Sequence, residues 1–204
     1  MDPIIILLRI VVPLTIFRFP LLGGLASVFL DGIDWHVHFF PFKDLHANYI
    51  LLDKLLDIYY LTIEALVVWR WKDAFAKKLA LSLYGYRLVG TLLVFLTKNL
   101  FFFVLFPNIF ENFFLFYVAC WAFLRREPRI SPKFLLCSVV VIAIPKILQE
   151  YAMHITADLW SWRYTQIYLS KTIHFQYDNV IGQGLILAGW ILIICLISLQ
   201  KKRK

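Results

Sequence analysis

Aspartate and histidine crowd into one stretch of eight residues, Asp31-Gly32-Ile33-Asp34-Trp35-His36-Val37-His38. Carboxylate oxygens and imidazole nitrogens are ligands for zinc and other divalent cations. In an extended segment the His36 and His38 side chains fall on one side. Asp31, Asp34, His36 and His38 therefore form a candidate divalent-metal group, and the same side chains could serve acid–base chemistry on a hydrophobic substrate. The spacing departs from the His-Glu-x-x-His of zinc hydrolases. A second reading makes Asp31-Gly32 a helix end, with Trp35, His36 and His38 in a membrane interface.

A second set of chemically able residues lies inside apolar runs. Asp53, Asp57, Tyr60 and Glu64 recur at offsets of 4, 3 and 4, which puts them on one face of a helix. Arg18, Arg87, Glu111, Lys146 and Glu150, with Lys54 beside Asp53, are further charges in such runs. Asn108, Asn112 and Gln149 add hydrogen-bonding groups. A charge at the centre of a membrane helix costs at least about 2.5 to 3.5 kcal/mol, so these side chains should face a helix bundle or a wet cavity. Counting helix rise from the span ends places Arg18, Glu64, Arg87 and Glu111 about 8 to 14 Å from the cytoplasmic boundary, and Asp53, Asp57, Lys146 and Glu150 nearer the outer one. On that count Glu64 and Arg87 are expected to face each other. Two readings stay open: a polar path or buried site for a solute or proton, and a network of ion pairs that only holds helices together.

The elements that must position these residues are six apolar spans, at 11–30, 49–69, 79–97, 100–123, 134–153 and 180–199. Each approaches the roughly 20 residues that cross a hydrocarbon core as helix, and in lipid the backbone must satisfy its own hydrogen bonds. Only Lys98 and Asn99 separate the third span from the fourth. Pro13, Pro20, Pro107 and Pro145 lie in or near spans and are read as kinks. Between spans five and six, 154–179 carries Trp160, Trp162, Tyr164, Tyr168, Phe175 and Tyr177, which suits an outer interfacial or re-entrant segment. The expected fold is an all-α integral membrane protein, one six-helix polytopic bundle over 1–204.

Charge orients that bundle. Arg9, the loop cations of 70–78 and 125–133, and Lys201 to Lys204 give 13 cations on one side, against 4 on the other, Lys43, Lys98, Arg163 and Lys171. By the positive-inside rule both termini are expected in the cytoplasm, in a plasma or bacterial inner membrane. A chain that is 61% hydrophobic and 17% charged has too little polar surface for an ordinary soluble domain. Its cations flank apolar spans, so the expected partner of the net +8 charge is the headgroup layer of a lipid bilayer and not nucleic acid. Cys120, Cys137 and Cys195 lie near cytoplasmic span ends and suggest no disulfide framework. Phosphate-binding, dinucleotide and nucleophile-elbow motifs are absent. The favoured function is a small membrane binding or transport protein acting on a small solute or proton. The alternatives are a membrane-embedded metal or acid–base enzyme for a lipid or other hydrophobic substrate, and a structural assembly subunit.

Overall fold

In the computed structural model every regular element among the described residues, 3–37, 46–125, 127–128, 130–151 and 189, is helical. Helix α1 (Pro3–Val11) runs into a 3-10 helix (Val12–Phe17) and is followed by α2 (Pro20–Val37), α3 (His46–Val68), α4 (Ala74–Thr97), α5 (Phe101–Leu105), α6 (Ile109–Leu124) and α7 (Pro132–Tyr151). Among the described residues three stretches, α4, the run Phe101–Leu124 shared by α5 and α6, and α7, are long and apolar enough to cross a membrane. The aromatic segment 154–179, and the span expected at 180–199 apart from helical Gly189, lie outside the described residues. Contacts divide the chain into two units, Met1–Tyr84 with Phe114–Pro128, and Gly85–Phe113 with Arg129–Lys204.

In the first unit the run expected as one crossing at 11–30 is a helical hairpin. Pro13 opens the 3-10 turn, and the helix ends where Arg18 and Phe19 both donate to the Thr15 carbonyl. Pro20, whose missing donor is harmless at a first helical position, starts α2. The two arms touch closely at Gly23. A Cβ there would lie 2.6 Å from the Ile16 nitrogen and 2.9 Å from its Cα, and backbone atoms cannot swing aside as a side-chain end can. Gly23→Ala should therefore cost about 1 to 3 kcal/mol of stability, read as a lower midpoint in thermal unfolding of the detergent-purified protein. An unchanged midpoint would show that the arms do not pack this way.

The hairpin lies along α3. Its base meets the first half of that helix, where Arg9 reaches Asp53 and Asp57 and the Tyr59 hydroxyl donates to the Ile10 carbonyl at 2.9 Å. Its tip meets the far end, where the Arg70 guanidinium sits 5.7 Å from the centre of the Phe17 ring. Beyond α3, Trp71 stacks on Tyr117 with centroids 4.0 Å apart. Glu127 accepts from the Lys72 and Asp73 amides, while Asp73 caps α4 by accepting from the Ala76 amide.

In the second unit the chain reverses at Lys98, which adopts φ 58°, and Asn99 starts the return by accepting from the Phe101 amide at 3.0 Å. The reversal brings α4 back against the end of α5. The Tyr86 hydroxyl donates to the Leu105 carbonyl, the Tyr86 and Phe106 rings lie 4.7 Å apart, and a Cβ on Gly90 would collide with Phe106. Pro107 then interrupts the helical run before α6 begins.

Helix α7 is turned inside out relative to a helix in water. Its buried face carries Leu135, Ser138, Ile142, Lys146, Gln149 and Glu150, at the 3- and 4-residue spacing of one stripe. Its exposed face carries Leu136, Val140, Ile144 and Leu148. Helix α4 likewise shows Val89, Leu92 and Leu96 outward while Arg87 is buried.

Candidate functional site

Each unit holds a buried cluster of charges. In the first unit Arg9 is the hub. One guanidinium nitrogen donates to Asp53 at 2.8 Å, and the other to Asp31 at 2.5 Å and Asp57 at 2.8 Å. Lys54 closes the far side, 2.9 Å from Asp53 and 2.8 Å from Asp57. The hairpin places the hub: α1 supplies Arg9, α2 returns with Asp31, and the 4-residue step along α3 puts Asp53 and Asp57 on one face.

This arrangement gathers like charge. One oxygen from each of Asp31, Asp53 and Asp57 lies within 4.8 Å of the others, a repulsion that Arg9 and Lys54 offset only in part. Among the described residues the cluster counts three carboxylates against two cations. Asp53 and Asp57 each touch both cations, whereas Asp31 touches Arg9. Asp31 is also the most accessible member, with 36% of its side chain exposed against 3% for Arg9.

The polar stripe of α3 continues away from this cluster through Tyr60, which is buried, to Glu64, which is fully enclosed. Gly24 packs beside that carboxylate: a Cβ on the glycine would lie 3.4 Å from the Glu64 Oε1 atom, an ordinary contact, and 2.7 Å from the Leu115 Cδ2 atom.

In the second unit Arg87 and Glu150 form the centre, 3.9 Å apart. Arg87 also donates to the Phe106 carbonyl at 3.0 Å, an acceptor freed by the break before Pro107, and lies 4.7 Å over the Phe103 ring. Lys146 sits 3.8 Å from Glu150 and donates to Gln149 at 3.1 Å. Asn108 gives its amide N–H to Glu150 at 3.4 Å and its side-chain N–H to Glu111 at 2.6 Å, and Asn112 donates to the Asn108 carbonyl. Among the described residues two acids, Glu111 and Glu150, stand with two bases, Arg87 and Lys146.

The expected sites are redistributed by this geometry. Asp53 and Asp57 meet in one cluster, and Arg87, Asn108, Glu111, Asn112, Lys146, Gln149 and Glu150 in the other. Arg18, expected inside, is exposed at the hairpin turn, because the chain reverses there instead of continuing as one helix. The two-layer depth count fails for Arg87, which meets Glu150 of the other layer. Residue counting along straight spans ignores the break at Pro107 and the reach of long side chains. Glu64 belongs to the first unit and Arg87 to the second, and Arg87 takes the partners named above from its own.

Two residues at the hub were assigned elsewhere by sequence reasoning. Charge counting makes Arg9 an interfacial cation, but its side chain is buried against Asp31, Asp53 and Asp57. Sequence proximity groups Asp31 with Asp34, His36 and His38; its carboxylate is held by Arg9. The side chains of Asp34 and His36, and His38 itself, lie outside the described residues. The signal for the hub was the Pro13, Pro20, Gly23-Gly24 pattern, which permits a chain to double back. No protein-family model, curated protein or solved structure matches the chain.

Proposed function

We propose that the chain is an integral-membrane binding or transport protein whose Arg9 cluster takes up one further positive charge, a proton or a small cation, at Asp31. The observation that carries this reading is that, among the described residues, three carboxylates face two cations in a largely enclosed cluster. An uncompensated charge in low dielectric is costly, and one added positive charge removes that cost. Asp31 is the natural acceptor because among the described residues it pairs with one cation, Arg9, and is the most open to solvent of the three acids. Tyr60 and Glu64 continue the polar stripe along α3, and Glu64 is the next acceptor.

The membrane setting is supported by the inverted faces of α4 and α7, with charges inside and large apolar side chains outside. Lipid is the solvent in which that distribution is favourable. Within it, the N-terminal hairpin enters and leaves on one side. Its arms are about 25 and 27 Å long by helix rise, close to a hydrocarbon core of about 30 Å. By helix rise Arg9 and Asp31 then each lie about 9 Å inside the outer ends of their arms, and Arg18 joins Arg70 and the other inner cations. Arg18 replaces Arg9 in the inner count, so the charge bias that orients the chain is kept.

Reconstitution into proteoliposomes tests the function. A proton gradient, and separately a sodium or potassium gradient, should drive uptake by the unmodified protein. Asp31→Asn leaves two acids facing two bases and should lower that uptake at least tenfold while the protein stays folded. Absence of flux in the unmodified protein under all gradients, or full flux in Asp31→Asn, would overturn the reading.

A further inference from the structure

The loop between α3 and α4 forms an open cleft of about 440 Å³ lined by Trp69, Lys72, Ala74, Lys77, Lys78, Leu81 and Ser82. Among the described residues no acidic side chain lines it. The nearest acids in sequence and space are engaged with backbone: Asp73 caps Ala76, and Glu127 accepts from the Lys72 and Asp73 amides. Among the described residues none of the three lysine ammonium groups is in an ion pair. The cleft therefore concentrates three positive charges without internal compensation.

Its other wall is apolar. It is formed by Trp69, which is 69% exposed, with Ala74 and Leu81. An indole at the boundary of an apolar helix suits the headgroup zone, where its ring can meet acyl chains and its N–H can stay wet. We propose that this cleft binds the headgroup of an anionic phospholipid of the inner leaflet, with Lys72, Lys77 and Lys78 around the phosphate and Trp69 against the upper acyl chain. Charge complementarity selects an anionic lipid, and the apolar wall beside the lysines selects a lipid over a free anion. The inference rests on the membrane reading given above.

Native mass spectrometry of the full chain in mild detergent, titrated with phosphatidylglycerol or phosphatidylcholine, tests the assignment. The unmodified protein should retain phosphatidylglycerol in preference. Replacing Lys72, Lys77 and Lys78 together by glutamine should weaken that binding on the order of a hundredfold, since each cation near an anionic surface contributes about a factor of five. Trp69→Ala should weaken it while leaving the charge unchanged. As a control, Arg125→Gln, Arg126→Gln and Lys133→Gln remove the same charge from the other inner loop and should leave binding within about twofold.

Equal weakening by both triple variants would overturn the cleft, because general attraction would then account for the lipid. Inorganic phosphate that displaces the lipid at equal concentration would overturn the lipid assignment. Carbonate extraction of the unmodified chain from membranes separates the two levels of inference. A chain that resists extraction but shows no lipid preference refutes the cleft alone, whereas a chain released by carbonate refutes the membrane reading.

Discussion

Arg9→Met will destabilise the protein by about 3 to 5 kcal/mol, the range for removing one partner from a buried charge group. Methionine keeps the length and apolar stem of the side chain, so packing against the hairpin is largely retained. What is lost is the positive charge that Asp31, Asp53 and Asp57 share. Among the described residues their oxygens, within 4.8 Å of one another, would then face Lys54 alone. The specific control is the triple variant Arg9→Met, Asp31→Asn, Asp53→Asn, which leaves one acid, Asp57, opposite Lys54. It should recover most of the loss, because replacing a whole charge group is far cheaper than breaking it. Unfolding in detergent with increasing denaturant measures both. A loss below about 1 kcal/mol for Arg9→Met, the range of an exposed pair, would show that Arg9 is not the hub.

Arg87→Leu should cost a similar amount, about 3 to 5 kcal/mol, for two reasons that a second variant separates. Glu150 loses a cation 3.9 Å away, and the Phe106 carbonyl loses its donor at 3.0 Å. Adding Glu150→Gln restores charge balance between Glu111 and Lys146 but leaves that carbonyl bare, a residual cost of about 1 to 3 kcal/mol. The double variant should therefore recover part of the loss, not all of it. Arg87→Lys should fall between, because an ammonium keeps the charge near Glu150 but cannot stack a planar group over Phe103 while donating to the Phe106 carbonyl. Full recovery in the double variant would mean that the guanidinium serves charge alone.

How much of this was legible in the sequence differs from element to element. Apolar length alone located helix where α3, α4 and α7 occur, since 49–69, 79–97 and 134–153 overlap His46–Val68, Ala74–Thr97 and Pro132–Tyr151. Lys98 and Asn99 marked the reversal after α4 because two polar residues between apolar runs favour a break, and Lys98 takes the left-handed backbone that makes it. The 4-residue periodicity of Asp53 and Asp57 showed their common face. The hairpin was harder to see, because a 20-residue apolar run satisfies the length of one crossing as well as it does two shorter arms. Proline shows that a helix can break there without showing where the chain goes next. That direction is fixed by contacts distant in sequence: Ile16 against Gly23, and Arg9 against residues 22, 44 and 48 positions away. For the same reason the partner of Arg87 could not be counted from span ends.

The doubling back of the N-terminal segment is the feature on which the Arg9 hub, its excess acid and the proposed uptake at Asp31 all depend. Cysteine accessibility in sealed, oriented membrane vesicles measures it most directly. In a background with Cys120, Cys137 and Cys195 changed to serine, single cysteines at Ile4, which is exposed near the hairpin base, and at Lys133 in the basic loop should react with an impermeant maleimide from opposite sides. Labelling of both positions from the same side would contradict the account, because residue 4 would then lie beyond a single crossing and Arg9 could not reach Asp31.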